Sequence, residues 1–234
     1  MKNKYVFILC LTFVCSFLLS LFSEGLKTRI ISNKELDKKK NILQTIGVNT
    51  NILSNDDINK SFSDNISEII LDLNGNKISN IKHNQLQVYE DDITAELKYI
   101  SNNNEYLPAY ISTTKKALII PVSGKGLWGS LYGYFALDIV NYSTVKGITF
   151  YAHKETPGLG AEITKSWFKS NFTGKEIYLN NELKSIQVSK AGQADQNSFY
   201  EVDGISGATI TSRGVETLLL RELLRYEPYL RNSK

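Results

Sequence analysis

Tyr5 to Phe22 is an apolar run without a charged residue. Its length is about what a helix needs to cross a bilayer. Lys2 and Lys4 precede it, which favours a cytoplasmic N-terminus. The rival is a cleaved signal peptide. The bulky residues from Leu18 to Ser23, where cleavage requires small ones, favour an uncleaved anchor. In either case the bulk of the chain is expected outside the cytoplasm.

Both cysteines, Cys10 and Cys15, lie in that run, and neither follows a lipoprotein signal. On a helix they point roughly 140° apart, which makes them a poor ligand pair. The remaining chain can build no disulfide framework, cysteine zinc site or iron–sulfur site. With two histidines, His83 and His153, and no clear partner set, a metal is not expected. The 234 residues suit one sizeable domain plus an anchor. A net charge of +3 without an arginine-rich run gives nucleic-acid binding no support. No carboxylate spacing demands general acid–base work, so no catalytic residue is assigned.

Ser23 to Gly47 continues as a helix with Gly47 as its stop. Ile58, Phe62, Ile66 and Ile69 give a second short helix one apolar face. Ile69 to Leu73 reads as a strand, with a turn at Asn74-Gly75 before Lys77-Ile78. Residues 81–104 are polar and Asn-rich, and read as a surface insertion. Tyr110-Ile111 and Ala117–Val122 are strand candidates, with Pro121 placing the second at an edge or boundary. Leu131–Val140 and Val145–Ala152 form a hairpin. Glu162 to Phe172 reads as a helix turning Ile163, Trp167 and Phe168 inward. Leu183–Val188 and Phe199–Val202 are short strands. The last helix, Val215 to Tyr226, ends at Pro228. The fold class is α+β: one mixed or antiparallel sheet with helices packed around it, behind a single N-terminal transmembrane helix.

Three stretches carry chemistry. The first is Asp203-Gly204-Ile205-Ser206-Gly207-Ala208-Thr209-Ile210-Thr211-Ser212, between a strand and a helix. A tight strand-to-helix turn leaves free backbone N–H groups, and the helix dipole adds positive potential, so a phosphate is welcome there. A threonine hydroxyl could hold that phosphate or be esterified to it. The alternative is an ordinary capped helix with Thr211 or Ser212 as N-cap. The second is His153 to Gly160, whose Glu155, Thr156, Gly158 and Leu159 mix polar atoms with an apolar surface, as a flavin ring needs. It reads equally as a strand-to-helix connection. The third is Gly124-Lys125-Gly126-Leu127-Trp128-Gly129, which has neither Walker A nor Rossmann spacing. It is a tight turn whose Trp128 could cover a ring.

Ser206-Gly207-Ala208-Thr209, with Asp203 ahead of it, resembles the flavinylation motif of FMN-binding domains. The loop GKGLWG, the loop HKETPGLG and the corner DGISGATITS, taken in order, resemble the family of C subunits of the Na+-translocating NADH:quinone oxidoreductases (Na+-NQR). So do the anchor and the segment Asn33 to Leu43 behind it. The resemblance is weakest between Ser54 and Tyr106. The family of G subunits of the Rnf electron-transport complexes shares the motif and a similar ETPGLG loop; Trp128 and the DKKKNIL segment favour the Na+-translocating enzyme. A flavin-free tethered binding or scaffold domain is the reading from another class.

The resemblance implies FMN joined by a phosphoester to Thr209, attached by a flavin transferase that uses FAD as donor. It implies a one-electron carrier in a multi-subunit complex that passes electrons from NADH toward quinone and exports sodium. The partners would be the other Na+-NQR subunits. Residues 1–4 would be cytoplasmic, 5–22 the anchor, 23–66 a helical stalk and 67–234 the extracytoplasmic FMN-binding domain. The location implied is the bacterial inner membrane, single-pass, with the domain in the periplasm. Asp203, Ser206, Gly207 and Ala208 belong to the motif. Glu155, Thr156, Gly158 and Leu159 would line the ring, Lys125 would offset charge, and Trp128 would shield the ring from water.

Overall fold

The computed structural model describes residues 2–233, so Met1 and Lys234, the ends of the expected N-terminal stub and C-terminal domain, lie outside it. Helix α1 (Lys2–Thr45) carries the uncharged run. Its side chains from Tyr5 to Phe22 are exposed, and among the described residues it is the one helix long and apolar enough to cross a membrane. The chain forms two compact units, which divide after Lys39. Residues 40–66, read from the sequence as the end of a stalk, fall in the second unit, where Ile42, Leu43, Ile46, Ile58 and Phe62 are buried.

Within that unit α1 stops where the glycine directs. Gly47 has φ +79°, and the Val48 N–H returns to the Leu43 carbonyl at 3.1 Å. Helix α2 (Asn55–Asn65) opens on a capping box between Ser54 and Asp57. It is shorter than the apolar spacing promised. Ile66 leaves it for β1 (Ile66–Leu71), because the β-branched run there gains a partner along its whole length in β5 (Asn104–Ser112).

The remaining strands of the sheet are β2 (Lys77–Ile78), β3 (Gln87–Glu90), β4 (Leu97–Ser101), β6 (Ala117–Lys125), β7 (Ser130–Asp138) and β8 (Val145–Ala152). They form one eight-stranded antiparallel sheet in the order β2-β1-β5-β6-β7-β8, with β4 on β5 and β3 on β4. The expected surface insertion is therefore part of the sheet. Its Asn102 and Asn103 both have positive φ, the conformation a tight hairpin between β4 and β5 requires and asparagine tolerates. Pro121 does sit at a local edge: β5 stops pairing with β6 at Ile119, and beyond it β6 has only β7.

Helix α3 (Ser166–Ser170) is one turn, preceded by a 3-10 turn at Gly160–Thr164, instead of the single helix expected over Glu162–Phe172. The break turns Trp167 outward, where its indole N–H meets the Glu162 carboxylate at 3.2 Å, while Ile163, Phe168 and Phe172 are buried. Short strands β9 (Tyr178–Leu179) and β10 (Glu182–Leu183) pair antiparallel, and β11 (Gln187–Ser189) and β12 (Glu201–Asp203) pair parallel. Ser185, at φ +61°, splits the expected strand Leu183–Val188 in two.

Helix α4 (Thr209–Asn232) lies on one face of the sheet. Its Val215, Leu218, Leu219, Leu223 and Tyr226 join Leu118, Ile120, Phe135 and Leu137 in the core. Pro228 does not end it. The intrahelical bond that proline forfeits would have gone to the carbonyl of Leu224, at an exposed position, and continuing buries Tyr229 and Leu230. Burial of two such side chains, at about 1.5–3 kcal/mol each, offsets the roughly 3 kcal/mol a helical proline costs.

Candidate site at the strand-to-helix corner

The corner is fixed by its own polar groups. The Gly204 N–H donates to the Ser189 carbonyl at 2.8 Å, joining β12 to β11. The Ile205 N–H donates to Ser212 Oγ at 3.0 Å. Gly207 has φ +73°, so the step from the turn into the helix requires a residue without a Cβ. Ser212 is thus inside α4 and turned back on the turn, and Thr211 is also inside the helix. Neither is the N-cap of the ordinary reading. That position is Ala208, which cannot cap with its side chain. The first N–H groups of α4, those of Thr209, Ile210 and Thr211, therefore have no capping side chain, at the positive end of the helix dipole. Thr209 is exposed, and its hydroxyl bonds to none of the described residues.

The other two motif loops converge here. Leu159 is 43% exposed, and one of its methyls would be 3.0 Å from a Cβ on Gly207, so it lies against the turn just before Thr209. Thr156 and Gly158 are exposed beside it, and the Thr156 carbonyl receives the N–H groups of Leu159 and Ala161, both at 3.1 Å. Glu155 points the opposite way. It is buried, and its carboxylate accepts the Trp128 N–H at 2.9 Å, the Leu127 N–H at 3.3 Å and the Thr211 hydroxyl. Its own N–H donates to His153 Nδ1 at 3.1 Å. One side chain thereby ties together all three motifs.

The loop GKGLWG is the hairpin between β6 and β7, closed by the Gly126 N–H on the Gly129 carbonyl at 2.8 Å. Trp128, 67% exposed, stands at its tip, and Lys125 is exposed at the end of β6. Ser206 is exposed and Ala208 buried. Asp203 turns away from Thr209 and fastens the loop before β12. It accepts the Ala194 N–H at 3.0 Å and the Gln196 side-chain amide at 2.9 Å. These bonds, the Ala194 N–H foremost, hold its carboxyl below the usual carboxylate range.

A polar cavity of about 440 Å³ opens beside Thr209, between α4 and the segment leaving β11. Among its lining residues are Arg213 and Lys190, which no sequence motif singled out. A signal existed for Arg213: it follows Thr209 by four residues, the spacing that places two side chains on one helix face. Lys190 had no such signal, since only the parallel pairing of β11 with β12 brings it near.

The domain built around this corner is of a known class: residues 126–223 match the FMN-binding domain family, from the hairpin of Trp128 into α4. The C subunit of the Na(+)-translocating NADH-quinone reductase of Pasteurella multocida strain Pm70 is 32% identical over 222 residues, covering 89% of this chain and 84% of that protein. The Yersinia pestis C subunit is 32% identical over 225 residues, covering 90% and 83%. The crystal structure of the C subunit from Parabacteroides distasonis ATCC 8503 aligns with a TM-score of 0.72 at 31% identity, over 88% of this chain and 96% of that one. Shewanella oneidensis NqrC, at 22% identity and a TM-score of 0.69 over 86% and 98%, shares the fold. The chain belongs to the family of C subunits of the Na(+)-translocating NADH-quinone reductases, an oxidoreductase complex.

Proposed function

We propose that the Thr209 hydroxyl carries FMN through a phosphoester, and that the chain is the membrane-anchored carrier passing electrons from NADH toward quinone while the complex exports Na+. The observation that carries the reading is the exposed Thr209 hydroxyl, free of hydrogen bonds to described residues, on the first turn of a helix whose N–H groups have no side-chain cap. Those groups fit a phosphate. Attachment forms a bond from Thr209 Oγ to the phosphorus of the FMN half of FAD. The phosphoanhydride breaks, AMP leaves, and the hydroxyl proton passes to a base of the flavin transferase. Bound there, the flavin supplies one-electron redox chemistry.

The residues of the chain hold and shield. Gly207 admits a phosphate close to the backbone. Leu159, Thr156 and Gly158 offer a ring one apolar contact and a polar edge. Trp128 covers it, and Lys125 offsets its charge. Glu155 acts from beneath, as the tie that holds both loops. Asp203 shapes the corner that the transferase must enter. The apolar run of α1 behind Lys4 supports an uncleaved, single-pass anchor with residues 67–234 on the periplasmic side of the inner membrane. The partners are the other subunits of the complex.

The test is the intact mass of the full chain, co-expressed with a flavin transferase and purified in detergent. Wild type gains one FMN less one water, and Thr209→Ala gains nothing. A gain that survives Thr209→Ala, or none in wild type, overturns the assignment.

A further inference from the structure

Helix α4 carries four arginines, and three are committed. Arg221 meets Glu222 at 3.1 Å, Arg225 meets Glu222 at 2.8 Å and Glu105 at 2.5 Å, and Arg231 meets Glu227 at 2.7 Å. Arg213 differs. Among the described residues it has no ion pair and no side-chain hydrogen bond, although it lines the cavity beside Thr209. The nearest carboxylate on its own helix, Glu216, is engaged elsewhere, accepting the Val188 N–H at 2.9 Å and tying α4 to β11. Lys190 lines the opposite wall and is likewise without an ion pair among the described residues. The segment that carries it is anchored on both sides: Ser189 accepts the Gly204 N–H, and the loop beyond Lys190 hangs from Asp203. Gln193 of that loop also lines the cavity. Two uncommitted cations thus stand on facing walls of a polar cavity that has the Thr209 side chain on its rim.

We infer that Arg213, assisted by Lys190, is the positioning residue for the phosphodiester on Thr209; this deepens the function proposed above and rests on it. Esterification puts one permanent negative charge at the start of α4. A guanidinium one turn along the same helix face meets it with charge-assisted hydrogen bonds. Asp203 serves the site from behind by keeping the Lys190 wall in place.

The experiment follows the mass gain of the full chain in detergent, with transferase and FAD below saturation, and then records the ³¹P resonance of the product. Arg213→Gln should slow attachment about tenfold, Arg213→Lys should restore it to within about threefold of wild type, and Lys190→Gln should slow it about threefold. The ³¹P resonance should move in Arg213→Gln. Equal rates and an unmoved resonance in Arg213→Gln overturn the inference while leaving the flavin on Thr209. A slower Arg213→Gln with an unmoved resonance also overturns it, because Arg213 then serves transferase docking. An Arg213→Lys variant as slow as Arg213→Gln overturns the inference, because a positive charge one turn from Thr209 then does nothing for attachment. Wild type that gains no FMN takes both readings down together.

Discussion

The Thr211 hydroxyl donates to the buried carboxylate of Glu155, a residue 56 positions earlier in the chain. The same carboxylate holds the N–H groups of Leu127 and Trp128. The β6–β7 turn, the loop after β8 and the first turn of α4 are thereby locked to one side chain behind Thr209.

Removing that carboxylate should loosen the corner. Glu155→Ala leaves two part-buried N–H groups and one buried hydroxyl without an acceptor, and each such group costs up to about 1–3 kcal/mol. A loss of roughly 3–5 kcal/mol follows, allowing for partial access of water. Glu155→Gln keeps one acceptor oxygen but turns an NH₂ toward a donor, so about half that loss is expected. Chemical unfolding of the full chain in detergent, read by tryptophan fluorescence, measures both. Two variants as stable as wild type would show that the loops hold their places without Glu155.

Gly160 guards the same junction. A Cβ there would lie 2.6 Å from Glu155 Oε2 and 2.6 Å from Thr211 Oγ1. Both atoms are buried and bonded to each other, so neither can step aside without giving up its partner. Gly160→Ala should therefore destabilise by about 1–3 kcal/mol, in the range of overpacked cores, and should slow flavin attachment. Flavin attachment at the wild-type rate in a destabilised Gly160→Ala would separate the junction from the site.

Gly214 tests a sign. In an exposed helix, Gly→Ala gains about 1 kcal/mol from propensity. Here the new Cβ would collide with the backbone carbonyl oxygen of Lys125, which cannot rotate away. The clash should win, with a net loss of about 1–3 kcal/mol and a lower thermal midpoint for Gly214→Ala. A raised midpoint would mean that α4 and the end of β6 can part without cost.

Acid should release the wall of the cavity. Hydrogen bonds from the Ala194 N–H and the Gln196 amide depress the Asp203 carboxyl in the folded chain. Its stabilising contribution is complete above the unfolded carboxylate value near about 3.9, and is lost as pH falls through the lower folded value. Asp203→Asn should be less stable than wild type at pH 7, and the difference should shrink as pH drops below about 4. A difference independent of pH would show that the charge of Asp203 contributes nothing.

The two halves of the chain are unequally legible. The corner is visible in the sequence as the motif Ser206-Gly207-Ala208-Thr209 behind Asp203, but local geometry demands only Gly207, through its positive φ; a place on the first turn does not by itself call for Thr209. The hairpin β7–β8 can be read because its apolar residues run almost without interruption. The strands β3 and β4 cannot, since β3 is exposed along its whole length, β4 is half-buried without a clean alternation, and they become strands by pairing, β3 on β4 and β4 on β5. Trp167 escapes the pattern because a single apolar spacing spans a break at Lys165. Glu155 looks like a ring contact because nothing local reveals that three donors wait for it from distant segments.

The strands the sequence concealed are also held by charge. Arg225 lies 3.4 Å from Glu96, 2.5 Å from Glu105 and 2.8 Å from Glu222, and donates to the Leu97 carbonyl at 3.1 Å. This single guanidinium joins α4 to both β4 and β5. Glu222 is almost fully buried, and burial lifts its carboxyl above the usual range against the pull of Arg225 and Arg221. Arg225→Met should cost about 3 kcal/mol, because it leaves the buried Glu222 carboxylate with Arg221 as its remaining cation and frees the Leu97 carbonyl. Glu222→Met should cost less, since Arg225 keeps Glu96 and Glu105. The double variant should recover part of the sum, because apolar side chains of similar volume replace a buried pair at little net cost. Hydrogen exchange should show the single Arg225→Met variant opening first at β3 and β4, while the β6–β8 ladder stays protected. Uniform loss of protection across the sheet would show that those strands unfold with the core and are not held to it by Arg225.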